Sequence, residues 1–381
     1  ALLNVILDVL RRASSGTAVS LLASSEGSGA NLLQAMFYPR KAFGETEVDW
    51  IGEMQNLWYH VDPRLQYSSI REDTVADKEL DLRSDYIAKF YFDPIENKTK
   101  IKRFSDSNGD GRPDSVTPLD IVELERVKNL WDTAAQRIQG AGKLLWYRNL
   151  SASPRTIFTT TDGRSLMSFS PSSAASLRPH LQAADISEAT NIINYVHGID
   201  RAGYRNRTVT ITEVDSTPRV WKLGDIVSST PRVQSWVKLN QYDTAYDDQT
   251  YLEFISSDSY KGRGMAYVGA NDGMLHAFKL GKPEVINELH RLARLSGTNL
   301  GNEEWAFIPQ NALPYLKYLA DTNYCHLYYV DSSPYLFDAS IAETTECSGN
   351  YWDCKKKKES WRTILIGGMG LGGACRNRSD T

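Results

Sequence analysis

Tyr267-Val-Gly-Ala-Asn-Asp-Gly-Met-Leu-His-Ala-Phe278 decides how the second half of this chain is read. Asn271-Asp-Gly accepts positive φ, and short apolar runs flank it, so the segment predicts strand, tight turn, strand. Thr208-Val-Thr-Ile-Thr, Met265-Ala-Tyr-Val-Gly, Ala277-Phe-Lys-Leu and Thr363-Ile-Leu-Ile-Gly read as further short strands. Spaced by Gly, Asp and Asn turns, they point to a sandwich, barrel or propeller. Asp225, Asp272 and His276 could be grouped as a catalytic set. Turn chemistry explains Asp272 better, however, and a histidine in an apolar strand is more often a satisfied core residue.

Upstream the texture changes. Tyr86-Ile-Ala-Lys-Phe-Tyr-Phe and Lys100-Ile-Lys-Arg-Phe alternate like strands, and Asp93-Pro-Ile-Glu-Asn between them is a turn, which makes a hairpin. Residues 119–148 carry Val122, Leu124, Val127, Leu130, Trp131, Ala134 and Ile138 at helical spacing, predicting a helix over about 119–140. A second helix is expected near 185–197. Residues 1 to about 60 read as a helix mixed with Gly/Ser turns such as Ser24-Ser-Glu-Gly-Ser-Gly-Ala. Leu2, Leu3, Ile6, Leu7, Val9 and Leu10 fit an amphipathic helix better than a signal peptide, because the start is not basic and Asn4 and Asp8 interrupt the run. The expected fold is therefore mainly β with helical insertions. A mixed α/β region, 1–205, precedes a region of short strands and tight turns, 206–381, of sandwich, barrel or propeller type.

With 381 residues, 41% of them hydrophobic, the chain can build a sizeable core. Its 43 basic against 47 acidic side chains argue against nucleic-acid binding, which shows a basic excess. Lys355 to Lys358, beside Asp353 and Glu359, reads as a solvated loop. No run of about 20 apolar residues exists to span a membrane. The missing initiating Met and the tail Arg376-Asn-Arg-Ser-Asp-Thr, which completes no element, suggest a piece of a longer chain. Gly262-Arg-Gly and Gly367-Gly-Met-Gly-Leu-Gly-Gly lack the Gly-Lys-Ser/Thr ending of a phosphate loop and read as turns or sheet crossings.

One motif carries chemistry. Asp106-Ser-Asn-Gly-Asp-Gly-Arg-Pro-Asp114 matches the opening of an EF-hand-type loop, D-x-N-x-D-G. Asp106, Asn108 and Asp110 take loop positions 1, 3 and 5, and Gly111 permits the bend. The Arg112 carbonyl and Asp114 supply positions 7 and 9. Three carboxylates with one amide suit Ca2+, a hard cation needing six to eight oxygens. Thr117 stands where the loop usually has a bidentate Glu, leaving Asp120 or Glu123 to complete the shell. The competing reading is an acidic turn with no ion. Against it, three unneutralised carboxylates in one loop would repel each other.

The four cysteines, Cys325, Cys347, Cys354 and Cys375, form no Cys-x-x-Cys pair and suit disulfides in an oxidising compartment. Cys347 with Cys354 and Cys325 with Cys375 is one of three possible pairings. A four-ligand zinc site is the alternative, although such sites usually show closely spaced pairs.

Lys222-Leu-Gly-Asp-Ile-Val-Ser-Ser-Thr-Pro-Arg-Val, the 267–278 segment and Trp361-Arg-Thr-Ile-Leu-Ile-Gly-Gly-Met-Gly-Leu-Gly-Gly, in that order, resemble the C-terminal propeller domain of the PilY family of type IV pilus assembly and tip-adhesin proteins. Tyr251-Leu-Glu-Phe, Glu304-Trp-Ala-Phe-Ile-Pro, Tyr329-Val-Asp-Ser-Ser-Pro, Phe104-Ser-Asp-Ser-Asn-Gly-Asp-Gly, Leu130-Trp-Asp and Arg155-Thr-Ile-Phe-Thr are similar to that family too, so the likeness covers about 90–375. It implies a partial or modified β-propeller of quinoprotein-like type over 206–381, and a non-enzymatic, exported component at the pilus tip or bacterial outer surface, reached through the periplasm. It further implies minor pilins as partners, a host or surface ligand, and calcium-linked control of pilus extension and retraction. The D-x-S-x-S site of the family's von Willebrand A domain does not occur, so that domain is absent, divergent or cut away upstream. Ala374-Cys-Arg also departs from the usual continuation. A calcium-dependent quinoprotein dehydrogenase is the enzymatic alternative, weakened because no two cysteines are adjacent and the 106–114 loop precedes the propeller-like motifs. A secreted carbohydrate-binding propeller is the third reading.

Overall fold

The computed structural model describes residues 15–23, 29–61, 68–96, 98–133, 138–286, 288–341 and 355–374. The amphipathic helix expected at the N-terminus lies outside them, as do Cys347, Cys354 and Cys375.

Among the described residues, the first half is built on two long strands where Gly/Ser-rich turns were expected. Gly29–Phe43 and Thr46–Val61 pair antiparallel from Gly29↔His60 to Phe43↔Thr46. Leu32, Leu33, Gln34, Ala35 and Met36 are all buried in succession. Leu33 and Ala35 pack with Met54 and Trp131, whereas Leu32 and Met36 pack with Leu57 and Ile101. A strand covered on both faces shows no alternation, and the period-2 signal vanishes. These strands sit in a seven-stranded antiparallel sheet ordered Ser15–Ala23, Gly29–Phe43, Thr46–Val61, Ser68–Arg71, Ile87–Asp93, Lys98–Phe104, Asp120–Glu123. The expected hairpin is present as Ile87–Asp93 paired with Lys98–Phe104. Its turn is closed by Asp93 Oδ1, which accepts from the Ile95 N–H at 3.0 Å.

The helix expected over about 119–140 is not formed. Asp120–Glu123 is the edge strand of that sheet, Leu124–Arg126 is one 3-10 turn, and Asp132–Thr133 pairs with Ile138–Gln139. Among the described residues of this stretch, only Ala141–Tyr147 is α-helical. The apolar residues at helical spacing do not share one stripe. Leu124 and Val127 enter the cluster around Ile101, Leu130 packs with Trp58 and Leu295, and Trp131 joins Met54 and Phe278. Burial in three separate clusters needs a chain that turns, so tertiary packing overrides the local period.

The helix near 185–197 forms as Ile186–His197. Asp185 caps it by accepting from the Glu188 N–H, and Gly198 ends it at φ 101°. Its buried face packs on a six-stranded sheet ordered Met167–Ser168, Ile157–Thr159, Glu303–Ile308, Leu275–Lys279, Gly264–Gly269, Arg232–Ser235. The Asn271-Asp-Gly turn joins Gly264–Gly269 to Leu275–Lys279, as expected. Four of the six strands are antiparallel neighbours, the make-up of a propeller blade, but Ile157–Thr159 adds to Glu303–Ile308 in parallel and widens the sheet. Two sheets draw strands from both sides of residue 205, since Glu79–Asp81 also pairs with Arg291–Ser296. The architecture is mainly β with helical insertions, and among the described residues the sheets stay open and close into no ring of blades.

Candidate calcium loop

The loop 106–114 leaves the sheet at Phe104 and returns to it at Asp120. Asp106 is buried, and its carboxylate organises the turn: Oδ1 accepts from the Asp110 N–H and Oδ2 from the Gly111 N–H, both at 3.0 Å. Asn108 Oδ1 also accepts from the Asp110 N–H at 3.0 Å, and Asp110 Oδ1 accepts from the Arg112 N–H at 2.9 Å. Asp114 folds back to accept from the Ser107 N–H at 2.9 Å. That bond holds the Asp114 carboxyl below the usual carboxylate range. Gly109 at φ 72° and Gly111 at φ 87° take the left-handed positions that make the turn this tight.

Two residues that the motif does not include complete the surroundings. Arg71, from Ser68–Arg71, is fully buried and donates through Nη2 to Asp106 Oδ2, while Nη1 donates to the Leu82 and Asp85 carbonyls at 2.7 and 3.0 Å. Burial pulls its guanidinium down from the usual value, and Asp106 opposes that shift. His290 packs against Gly109 so closely that a Cβ there would collide with its ring. Both lie far away in sequence, so no spacing rule could have found them. Below Arg71, burial pushes the Asp85 carboxyl up to about 8 and that of Asp73 to about 7, even though each accepts backbone N–H bonds.

The donor set is all oxygen, which is the chemistry of a hard divalent cation. The loop is folded by the carboxylates themselves, and each keeps lone pairs beyond those spent on N–H donors. Among the described residues no three His, Cys, Asp or Glu side chains are drawn together as a finished metal cluster. Asn108 and the Arg112 carbonyl would have to supply the remaining oxygens. Asp120 and Glu123, considered for the last ligand position, are engaged elsewhere: Asp120 accepts from Arg103 at 3.3 Å, and Glu123 lies 4.0 Å from Lys98. The loop fits the ion by donor chemistry and backbone shape, with position 12 left to solvent or to a small shift of Asp120.

Asp225, Asp272 and His276 do come together, as a core network. His276 is fully buried between Asp272, 3.1 Å from Nε2, and Glu303, 2.7 Å from Nδ1. Glu303 in turn accepts two bonds from Arg155, each 2.8 Å. Burial works against the imidazolium, but Asp272 and Glu303 outweigh it and hold His276 up at about 9. Burial likewise disfavours the Glu303 carboxylate, and Arg155 with His276 overcomes it, leaving the group well below its usual range. Asp225 accepts from Asn271 Nδ2 at 2.7 Å and lies 3.0 Å from His326 Nε2. Every one of these groups is paired and shielded, which is the satisfied-core geometry expected for His276. Among the described residues no cysteine is free, and Cys325 has a partner; its identity lies outside them.

No family model matches the chain, and no solved structure matches it. Curated proteins do. A type IV pilus biogenesis factor PilY1 homolog of Xylella fastidiosa is 30% identical over 241 residues, 62% of this chain. The chain is similar to PilY-family proteins over part of its length. A second PilY1 homolog of the same organism is 30% identical over 189 residues, 48% of the chain. The PilY1 of Pseudomonas aeruginosa strain UCBPP-PA14 is 31% identical over 159 residues, 40% of it. The matched stretches make up 16%, 10% and 10% of these relatives, so the PilY-like chain spans a small part of their length.

Proposed function

We propose that this chain is a non-enzymatic, calcium-binding part of the type IV pilus biogenesis machinery. The similarity to PilY1 proteins supports the pilus role. The loop 106–114, wound around the buried Asp106 carboxylate, is the observation that carries the calcium reading. Asp106, Asn108, Asp110, the Arg112 carbonyl and Asp114 would hold the ion, and a bound divalent cation would neutralise the carboxylates of a loop that joins two neighbouring sheet strands. The proposal extends to the pilus tip or outer surface as its place, to minor pilins as contacts, and to assembly, retraction and adhesion as the processes served. It also includes disulfide pairing of the four cysteines and a propeller-type origin for the 232–308 strands. No helix among the described residues is long and apolar enough to cross a membrane.

Calcium titration by calorimetry, on this chain and on Asp110→Ala, tests the reading. Saturable binding by the first and at least tenfold weaker binding by the second is expected; equal binding by both overturns the loop assignment.

A further inference from the structure

Lys222-Leu-Gly-Asp225 crosses the molecule where its sheets meet, and the side chain of Lys222 ends in an unusual place. Lys222 is buried, and its Nζ donates to the carbonyls of Trp146 and Val220, both at 3.0 Å. An ammonium has three N–H donors, so one is left over. Lys222 is also among the residues that line a cavity of about 30 Å3, room for roughly two water-sized groups at 10–15 Å3 each. Its lining brings in Arg205 and Arg207 as well as Trp50, Trp221 and Tyr195.

The charge around this cavity is unbalanced. Two acids also line it, Asp225 and Asp272, but each faces a histidine at hydrogen-bond distance, His326 and His276 respectively. Arg207 is paired with Asp200 at 3.1 Å, whereas the Arg205 guanidinium donates to the Asp49 carbonyl, stacks on Tyr324 at 4.1 Å and has no carboxylate partner among the described residues. Lys222 has no carboxylate partner among the described residues. Facing it are Arg155, Arg207 and Arg219, with Glu303 as the opposing charge. Burial, followed by these three guanidinium groups, lowers the Lys222 ammonium to about 7. The tyrosine hydroxyl of Tyr195, buried in the same wall, has no hydrogen-bond partner.

We infer that this cavity binds a small monovalent anion, of halide or short-carboxylate size, between Lys222 and Arg205. The ligand class follows from the N–H donors and guanidinium groups of the lining, from a lysine without a carboxylate partner among the described residues, and from a volume of only about two water molecules. Because the walls come from residues 50–51, 195, 205, 207, 221–225, 271–272, 319 and 324, an anion there contacts segments from both halves of the chain.

The experiment compares chloride with gluconate, which is too large for the cavity, at constant ionic strength on the full chain. Iodide is added as a quencher, since Trp50 and Trp221 line the site. The expected results are a saturable rise in Tm with chloride but not gluconate, and saturable quenching by iodide. Lys222→Met, which keeps the length of the side chain without its charge, should weaken the apparent affinity at least tenfold. Arg205→Gln should weaken it severalfold and serves if Lys222→Met does not fold. Affinity should also fall about tenfold per pH unit above 7, as Lys222 loses its proton, which a purely structural lysine would not produce. Equal responses to chloride and gluconate, a linear unsaturable response, or unchanged affinity in both variants would each overturn the inference.

Discussion

Replacing Asp106 by Asn tests the junction between the 106–114 loop and the sheet beneath it. The side chains of Arg71 and Asp106 are both fully shielded from solvent, and they form an ion pair. Removing one charge of a buried pair strands the other in a low-dielectric site, at a cost of about 3–5 kcal/mol. The amide keeps one acceptor oxygen, so it can serve either the Asp110 N–H or the Gly111 N–H, but not both alongside Arg71. That lost acceptor is contained within the same range. At a urea slope of about 3 kcal/mol per M, the midpoint should drop by about 1–1.7 M in chelator. Arg71→Met and the double variant complete a cycle, in which a coupling of about 2 kcal/mol is expected because both partners touch the same oxygen. Calcium at a hundredfold excess over its dissociation constant should then widen the gap between wild type and Asp106→Asn by up to about 2.7 kcal/mol. A cost under 1 kcal/mol in chelator, or additive single effects, would refute the claim that Arg71 and Asp106 act as one unit.

Two further perturbations address the core. His276 is held at about 9 against roughly 6.5 when unfolded, so its contribution is full below pH 6.5 and is lost as pH rises through 9. The stability difference between wild type and His276→Gln should therefore shrink by about 3 kcal/mol between pH 6 and pH 10, read by urea unfolding at each pH; a constant difference would mean the imidazole is neutral. Gly269→Ala places a Cβ onto the Val330 carbonyl oxygen and should cost about 3 kcal/mol or more, whereas Gly203→Ala, at φ 81° in open space, should cost about 1 kcal/mol. Similar costs for both would show that the close approach at Gly269 relaxes freely.

What could be read from the sequence depended on how far each residue's cause lay along the chain. The turn at 271–273, the hairpin at 87–104, the capped helix at 186–197 and the 106–114 loop all follow from residues a few positions apart, and all four formed. The strands at 29–61 failed to announce themselves because both faces are buried, and burial on two faces erases the pattern that marks a strand. The stretch at 119–140 misled in the opposite way, offering a helical period whose members are claimed by three clusters. At the loop, the turn-forming residues were legible, but Arg71 and His290 were not, since each reaches the loop from another part of the chain.

The same distinction explains why the family motifs at 222–225 and 267–278 are informative together. Gly52 N–H donates to the Leu223 carbonyl, Gly224 N–H donates to Asp272 at 2.9 Å, and Asn271 N–H donates to the Asp225 carbonyl at 3.0 Å. A Cβ on Gly224 would run into Asp272, and one on Gly52 would fall onto the Gly224 carbonyl. Glycine is thus required at 52 and 224 by close backbone approach rather than by turn geometry. Asp272, read as turn chemistry, closes the turn by accepting from the Met274 N–H at 3.2 Å and in the same position fastens Gly224 and His276. One carboxylate therefore ties the hairpin to the crossing strand, and through Gly52 to the long strands of the first half. A substitution at Asp272 would loosen the seven-stranded sheet's attachment as well as the hairpin, an outcome that turn propensity alone does not contain.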